Sequence, residues 1–350
     1  MLFYVAVYIF IFVIAFVNTI NKNRKSLVFF LLVFLLICHD GLRWETGTDW
    51  DNYFNAFNRC LTHSLENFEV GYVNMMKLVR VFTDEYTIFL LFHAFFVYTL
   101  IAYIIWKYSP IPTLSLLFLY AFMLPLLGMS RQYLSLAICI YSVYFIFQRK
   151  FIPFLLCIII SFLFHKSSLL FVFAYFLNRE YSIRTYQIWI FVAIIMSFSG
   201  IVQLIPTDLL LLAFPKEYSS YINTVDISLA NKILGIIRKL LWVILALYLL
   251  KEKSKPQGFS LFFNLYFVAI IGYLLLNGSL LQIIVARGLI YYSVFEIFVL
   301  TYIVAFISKQ ANQKVYLLLI GIYYIVLLYK NIAFYTIGNY NCFIPYKSCF

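Results

Sequence analysis

Charged side chains are scarce in this chain: only 11% of its 350 residues are Asp, Glu, Lys or Arg, against about 25% in a typical soluble domain. Apolar residues make up 65% of the chain. Water therefore cannot be the main solvent for the folded surface, and no separate soluble domain fits within this length. The composition indicates one integral membrane domain spanning residues 1–350.

Motifs for metals and nucleotides are also lacking. The six cysteines show no CxxC spacing and the four histidines are scattered, so a zinc or iron–sulfur site is not expected. No glycine-rich dinucleotide signature occurs. We expect no metal and no cofactor. Cys342 and Cys349 both lie in the C-terminal tail. A disulfide between them is chemically permitted if the tail faces outward, but it cannot be read from their spacing.

Long apolar runs dominate what is present. About 20 apolar residues cross a bilayer as a helix, and the runs predict an all-α, polytopic transmembrane bundle of about twelve spans. The first run has no cleavage site after it and reads as a retained span. The predicted helices are 2–18, 26–39, 86–106, 113–127, 131–148, 151–164, 168–178, 187–205, 233–250, 259–276, 281–307 and 315–329.

The basic residues predict the direction of these spans. If Lys22, Arg24 and Lys25 are cytoplasmic, every second connection is a compact basic turn, as the positive-inside rule expects. This accounts for much of the net charge of +12 without nucleic acid as a partner. The long outward connections are 40–85, 206–232 and 330–350. They carry eleven of the 14 acids: Asp40, Glu45, Asp49, Asp51, Glu66, Glu69, Asp84, Glu85, Asp208, Glu217 and Asp226.

Several charges lie inside or at the edge of predicted spans, where each needs a partner, a cavity or a function. Five residues fall toward the outward half, where they could line one basic pocket for an anion: Arg131, His165, Lys166, Arg238 and Arg287. Arginine offers a forked geometry that suits phosphate oxygens. The alternative is that each arginine extends singly to the lipid headgroups. Glu296 is expected to pair with Arg287 or a polar neighbour, and Arg238 and Lys239 to reach the headgroups.

The first outward connection, 40–85, mixes acids with aromatic residues, a combination typical of sugar binding. From Asp51 onward, Tyr53, Phe54, Phe57 and Leu61 recur at helical spacing and predict an amphipathic helix along the outer surface. A loop that only caps the bundle explains the same pattern. The candidate sugar-binding residues are Trp50, Asp51, Tyr53, Tyr72, Gln132 and Tyr346.

Five segments together resemble one known family. They are LRWETGTDWDNYFNAF, FEVGY, the stretch from LLGMSRQYL to FLFHKSSLLF, ARGLIYYSVFEIF and the tail IPYK. In this order and spacing, from Leu42 to Lys347, they resemble the EpsG family of Wzy-type polysaccharide polymerases. The RQ and FHKS pair, about thirty residues apart, is the most specific part. Trp50 stands where such proteins have tyrosine.

The resemblance implies a GT-C-like fold in the bacterial inner membrane, with an active site facing the periplasm. Such proteins transfer a growing chain from undecaprenyl diphosphate to a sugar hydroxyl on a new lipid-linked unit. The implied partners are that donor and acceptor, membrane lipid and a chain-length regulator. O-antigen, capsule and exopolysaccharide assembly all use this step.

That chemistry assigns roles to the candidate residues. A departing lipid diphosphate needs fixed cations, for which we expect Arg131, Arg287, Lys166 and Arg43. The attacking hydroxyl needs a base or a hydrogen-bond acceptor. The candidates for this task are His165, Asp49 and Glu69, with His165 favoured for proton removal and Asp49 for orienting the acceptor.

Three other functions remain open. A lipid-linked oligosaccharide flippase also binds diphosphate, although it should carry charges through both leaflets. An O-antigen ligase shares fold and donor but uses a different acceptor. A membrane acyltransferase would need a histidine reached from the cytoplasmic side.

Overall fold

The computed structural model describes residues 1–21, 26–199, 229–251, 258–276, 287–307, 313–338 and 340–350. Most of the predicted second outward loop, residues 206–232, lies outside them, as do the basic residues Lys22, Arg24, Lys25, Lys253, Lys255 and Lys309. The described residues divide into two compact units. The first unit is Met1–Val172 with Val304–Phe350, and the second is Phe173–Ile303. The expectation of one membrane domain stays a prediction.

The described part of the first 172 residues contains eight α-helices. They are α1 (Leu2–Ile20), α2 (Ser26–Gly41), α3 (Trp50–Arg59), α4 (Val70–Arg80), α5 (Tyr86–Tyr108), α6 (Pro112–Met123), α7 (Ser130–Phe147) and α8 (Phe151–Phe164). A 3₁₀ turn, Leu124–Gly128, precedes α7, and a 3₁₀ helix, Lys166–Leu177, follows α8.

The described residues after Val172 add six α-helices, and four short strands lie before and after this point. The helices are α9 (Ile183–Ser199), α10 (Leu229–Leu250), α11 (Phe259–Leu276), α12 (Ile290–Ser293), α13 (Glu296–Ile307) and α14 (Gln313–Ala333). The strands are β1 (Arg43–Trp44), β2 (Thr336–Ile337), β3 (Tyr340–Asn341) and β4 (Lys347–Ser348). Strand β1 pairs antiparallel with β4, and β2 with β3.

Helices at the centre and at the edge of the first unit differ in burial. Helix α6 is apolar all round and buries nearly every side chain, as a core helix does. Helix α8 buries only Phe154, Ile158 and Ser161, while apolar side chains such as Ile152 and Leu156 are exposed. An apolar exposed face of this size is typical of a surface that meets lipid or another protein.

Five helices are long and apolar enough to cross a membrane, and six shorter apolar helices accompany them among the described residues. The five are Leu2–Ile20, Tyr86–Tyr108, Ile233–Leu250, Phe259–Leu276 and Gln313–Ala333. Every predicted run overlaps a helix, so the prediction of an all-α apolar helix protein is confirmed. The number of about twelve crossings stays a prediction.

The 3₁₀ helix Lys166–Leu177 is longer than usual for its type, because such runs seldom exceed four residues. With a rise of about 2.0 Å per residue instead of 1.5 Å, its 12 residues reach further than the same α-helix would. Lys166 begins this helix, and His165 joins it to α8.

Candidate functional site

Two glycines bring the first outward loop against the turn before α7. Gly47 adopts φ +117°, a conformation that favours glycine. A Cβ on Gly47 would lie 2.7 Å from the Gly128 Cα atom, and a Cβ on Gly128 would overlap the Thr48 backbone nitrogen. Neither position has room for a side chain. The loop that carries Asp49 therefore lies directly on the start of α7.

A buried ion pair holds the first residue of α7. Arg43 is 2% exposed, and its Nη1 donates to the carboxylate and the carbonyl oxygen of Asp40. Its Nη2 donates to Ser130 Oγ over 3.3 Å. His93 Nε2 donates to the Ser130 carbonyl oxygen over 2.9 Å. Because a buried charge is costly unless it is paired, Arg43 first serves to hold α7 in place. Its predicted contact with diphosphate stays a prediction.

Arg131, the next residue, is held by the acidic and aromatic residues of the outward loop. Its Nη1 donates to Glu69 Oε2 over 2.6 Å and to the Asn67 carbonyl over 2.9 Å. Its Nε donates to the Tyr53 hydroxyl over 3.3 Å. The guanidinium carbon lies 4.6 Å from the centre of the Phe68 ring. The Arg131 side chain is 25% exposed, so an oriented cation remains accessible.

His165 lies at the end of the α7–α8 pair that also carries Arg131. The hydroxyls of Ser135 and Ser161 are 2.8 Å apart across the two antiparallel helices. Arg131 is one turn before Ser135, and His165 is one turn after Ser161, with its backbone N–H still bonded to the Ser161 carbonyl. Residues four apart share a face of a helix. Arg131 and His165 therefore lie at the same end of this helix pair.

Helix α4 contacts the end of α8 as well. A Cβ on Gly71 would lie 2.7 Å from the Leu163 carbonyl oxygen, so the two backbones are in close contact. Glu69 precedes Gly71 by two residues, and His165 follows Leu163 by two. Glu69, Arg131 and His165 thus belong to one cluster in the first unit, which we call the outward cluster.

The side chain of His165 is engaged by the residue two positions later. Ser167 donates its backbone N–H to His165 Nδ1 over 3.3 Å, and Ser167 Oγ lies 2.7 Å from the same nitrogen. Lys166, between them, is exposed. The FHKS motif therefore places an ordered imidazole and an accessible ammonium group at the start of the 3₁₀ helix.

Asp49 and Asp51 begin α3. Asp49 is the N-cap residue of α3 and is half-buried, and Asp51 is exposed in the first turn. Burial raises the pKa of Tyr53, the Arg131 guanidinium opposes this shift, and the charge of Asp49 adds to it. The Asp49 charge thus acts on the same tyrosine that contacts Arg131. The predicted contacts of Asp49 with the acceptor and of Asp51 with sugar stay predictions.

The predicted sugar-binding aromatic residues are mostly buried. Trp50 packs edge-on against Trp44 and Tyr86, with ring centres 5.3 and 5.1 Å apart. Tyr72 is fully buried, and burial raises its pKa well above the ordinary value. Gln132, in α7, is also buried. These rings stabilise the outward loop, and any contact with sugar stays a prediction.

The C-terminal tail joins the first outward loop. Tyr346 stacks on Phe3 with ring centres 4.2 Å apart and donates its hydroxyl to the His39 carbonyl over 2.7 Å. Burial raises the pKa of Tyr346 to about 12. Lys347 lies 2.5 Å from the Glu45 carboxylate, beside the pairing of β1 with β4. The tail thus acts as a brace for the loop.

Arg287 belongs to the second unit. A Cβ on Gly272, near the end of α11, would lie 2.5 Å from Leu289, which places residues 287–289 beside the last turns of that helix. Glu296 is 6% exposed and pairs with Lys239 at 3.4 Å. The expectation of a partner for Glu296 is confirmed, and the partner is lysine. Lys239 is engaged by Glu296, and the expectation that Lys239 and Arg238 reach the headgroups stays a prediction.

Sequence reasoning missed the residues that hold the cluster. Ser130 and His93 are buried, and neither belongs to a charge pattern in the sequence. Nothing in the sequence therefore identifies them as part of a site before the fold is known. Phe68 looked like one aromatic residue among many, and Ser167 had a signal only in its place within the FHKS motif. No group of three or more His, Cys, Asp or Glu side chains within the described ranges could hold a metal ion. All six cysteines are free, including Cys342 and Cys349.

Comparison with known proteins gives a match at the level of a family. A family model described as the EpsG family covers residues 26–348, nearly the whole chain. Comparisons with curated proteins and with solved structures gave no match. The matched range includes most of the first unit, all of the second unit and every residue of the outward cluster.

Proposed function

Because the chain belongs to the EpsG family, we propose that it is a Wzy-type polymerase that joins lipid-linked oligosaccharide repeat units. Membership supports a polysaccharide polymerase-like function in a multi-pass membrane protein. The finer proposal is a glycosyltransferase in the bacterial inner membrane. Its donor carries the growing chain on undecaprenyl diphosphate, and its acceptor is a new lipid-linked unit. The site faces the periplasm.

The observation that carries the proposal is the fixed orientation of Arg131. Breaking the bond between the anomeric carbon and the diphosphate oxygen leaves negative charge on the phosphate. A preorganised guanidinium stabilises such charge without reorganising during the step. Glu69, the Asn67 carbonyl and Phe68 hold Arg131 in one orientation while a quarter of its side chain stays accessible.

Other residues complete the proposed reaction. Lys166 is exposed beside His165 and supplies a second cation. The oxygen of the acceptor hydroxyl forms the new bond to the anomeric carbon, and its proton passes to His165, Asp49 or Glu69. Arg287, in the second unit, remains a proposed diphosphate ligand. Positive charge comes from side chains, so the proposal includes no metal. The proposed partners are donor, acceptor, membrane lipid and a chain-length regulator.

The surface glycan of a deletion strain tests this function. A polymerase mutant should keep a single repeat unit on each lipid core, because export and ligation continue without chain extension. A strain without any repeat unit would indicate a flippase or ligase instead. Complementation with the native chain should restore the ladder of longer glycans, and acetylation of the glycan should be unchanged.

A further inference from the structure

One of the two ring nitrogens of His165 accepts a hydrogen bond from a fixed partner. Ser167 donates its backbone N–H to Nδ1 over 3.3 Å. A backbone N–H is only a donor, so Nδ1 must hold the lone pair in this arrangement. Neutral imidazole has one proton, which therefore resides on Nε2. The Ser167 hydroxyl, 2.7 Å from Nδ1, can donate to the same lone pair.

This tautomer does not suit a general base. The nitrogen that could accept a proton already receives the Ser167 N–H, and the other nitrogen already carries one. A ring in this state offers a directed N–H donor. Ordered donors aimed at developing negative charge are a large source of catalysis in group transfer.

We propose that His165 presents its Nε2–H as a fixed hydrogen-bond donor to the departing diphosphate, and that Ser167 is the positioning residue that sets this tautomer. The inference rests on the proposed polymerase function and deepens it. It reverses the sequence-based expectation that His165 removes the acceptor proton.

The bond changes balance without an additional reactant. The bond from the anomeric carbon to the diphosphate oxygen breaks, and the electron pair leaves with that oxygen. Nε2–H hydrogen-bonds to the leaving diphosphate and keeps its proton. The acceptor oxygen forms the new glycosidic bond. Its proton passes to the carboxylate of Asp49 or Glu69, which belong to the first unit as His165 does.

A simpler role for His165 is capping of the 3₁₀ helix. Its Nδ1 accepts from Ser167 as an Asn or Asp oxygen would at an N-cap. Two substitutions separate the roles. The oxygen of the shorter amide in His165→Asn can replace Nδ1 as the cap. The NH₂ group of the longer amide in His165→Gln can replace the Nε2–H donor.

Chain extension by the purified, bilayer-reconstituted chain tests the proposal, with lipid-diphosphate-linked repeat units as substrate. We expect His165→Gln to retain activity within about tenfold of the native chain, and His165→Asn to lose on the order of 10²-fold, as loss of one preorganised hydrogen-bond donor typically does. Native activity in His165→Asn would show that His165 only caps the 3₁₀ helix. Loss in His165→Gln equal to that in His165→Ala would overturn the donor role.

Nitrogen NMR of the full-length chain, labelled in its histidines, reads the tautomer directly. The chain has four histidines, so the signal missing in His165→Gln assigns His165. We expect Nε2 protonated in the native chain and in Ser167→Ala, which keeps the backbone N–H. In Ser167→Pro, which removes that donor where helices tolerate proline, the Nδ1-protonated form should increase. A native ring protonated on Nδ1 would overturn the inference.

These two measurements separate the inference from the proposed function. A native chain that extends no lipid-linked glycan would overturn the polymerase function, whatever the tautomer. A native chain that extends glycans while its ring carries the proton on Nδ1 would overturn only the donor role.

Discussion

Arg131 is the residue on which the proposed chemistry depends. Its pair with Glu69 is partly exposed, with side chains 25% and 12% accessible. Such pairs contribute about 0–1 kcal/mol to stability, so the effect of Glu69 is mainly to orient the guanidinium. The contact with Phe68 adds a second constraint. A lysine could not reproduce this forked and stacked arrangement.

Tyr346 was expected to bind sugar, and its contacts support a test of that role. The Tyr346 hydroxyl donates to the His39 carbonyl. If bracing the loop is its main task, Tyr346→Phe should lower the free energy of unfolding by about 1 kcal/mol, the usual contribution of one hydrogen bond. The KM for the acceptor should be unchanged. Thermal unfolding in detergent and acceptor titration measure the two quantities.

The matched control is Tyr340→Phe, because Tyr340 lies in the same tail and is 68% exposed. It should change neither quantity. A raised KM for the acceptor in Tyr346→Phe, with unfolding unchanged, would restore the sugar-binding role and contradict the brace.

At the scale of single residues, the sequence shows which side chains matter better than it shows which groups they contact. It predicts that Arg131 matters because its charge lies at the edge of a span, and that Glu69 matters because it is an acid in the aromatic outward loop. It does not show that they bind each other, since 62 residues separate them. It also cannot distinguish an aromatic ring that binds sugar from one that fills a core, as Trp50 and Tyr72 do.

At the scale of elements, the contact of two glycines sets the position of the outward loop. Gly128→Ala should force Thr48 away from the start of α7, because a Cβ there overlaps the Thr48 backbone nitrogen. Overpacking of this kind costs about 1–3 kcal/mol. We expect a lower unfolding temperature together with reduced chain extension.

Thr48→Ala is the control for the glycine contact. It removes the hydroxyl that also lies close to Gly128 but leaves the backbone nitrogen in place. Alone it should be nearly neutral, and combined with Gly128→Ala it should not rescue stability. Full rescue by the double substitution would show that the hydroxyl, and not the backbone, makes the contact.

The positions of the apolar helices were predictable because each needs a long apolar run, and all twelve predicted ranges overlap helices. The pairing of β1 with β4 was not predictable, because Arg43 and Ser348 are brought together by the fold. The 3₁₀ geometry after His165 was also hidden, since residues 166–177 look like any apolar run. Basic turns predicted which helix ends share a side, and the contacts of the first unit agree.

At the scale of the whole molecule, the proposed function requires the outward cluster to face the periplasm. Glu66 and Lys150 are both exposed and lie at opposite ends of the first unit's helices in the predicted orientation. In cells with a permeabilised outer membrane, a membrane-impermeant maleimide should label Glu66→Cys above the native background. It should label Lys150→Cys only after the inner membrane is opened. The reverse pattern would place the cluster in the cytoplasm.

The most direct test of the central claim is chain extension by the reconstituted protein with lipid-diphosphate-linked repeat units. The native chain should produce a ladder of longer glycans and release lipid diphosphate. Arg131→Ala should lose this activity by about 10²-fold or more, the effect of removing one preorganised charge-stabilising group. Arg80→Ala is the matched control, because Arg80 also pairs with an acid, Asp84, and lies over an aromatic ring, Phe57. It should keep the native ladder. A native ladder from folded Arg131→Ala would contradict the account.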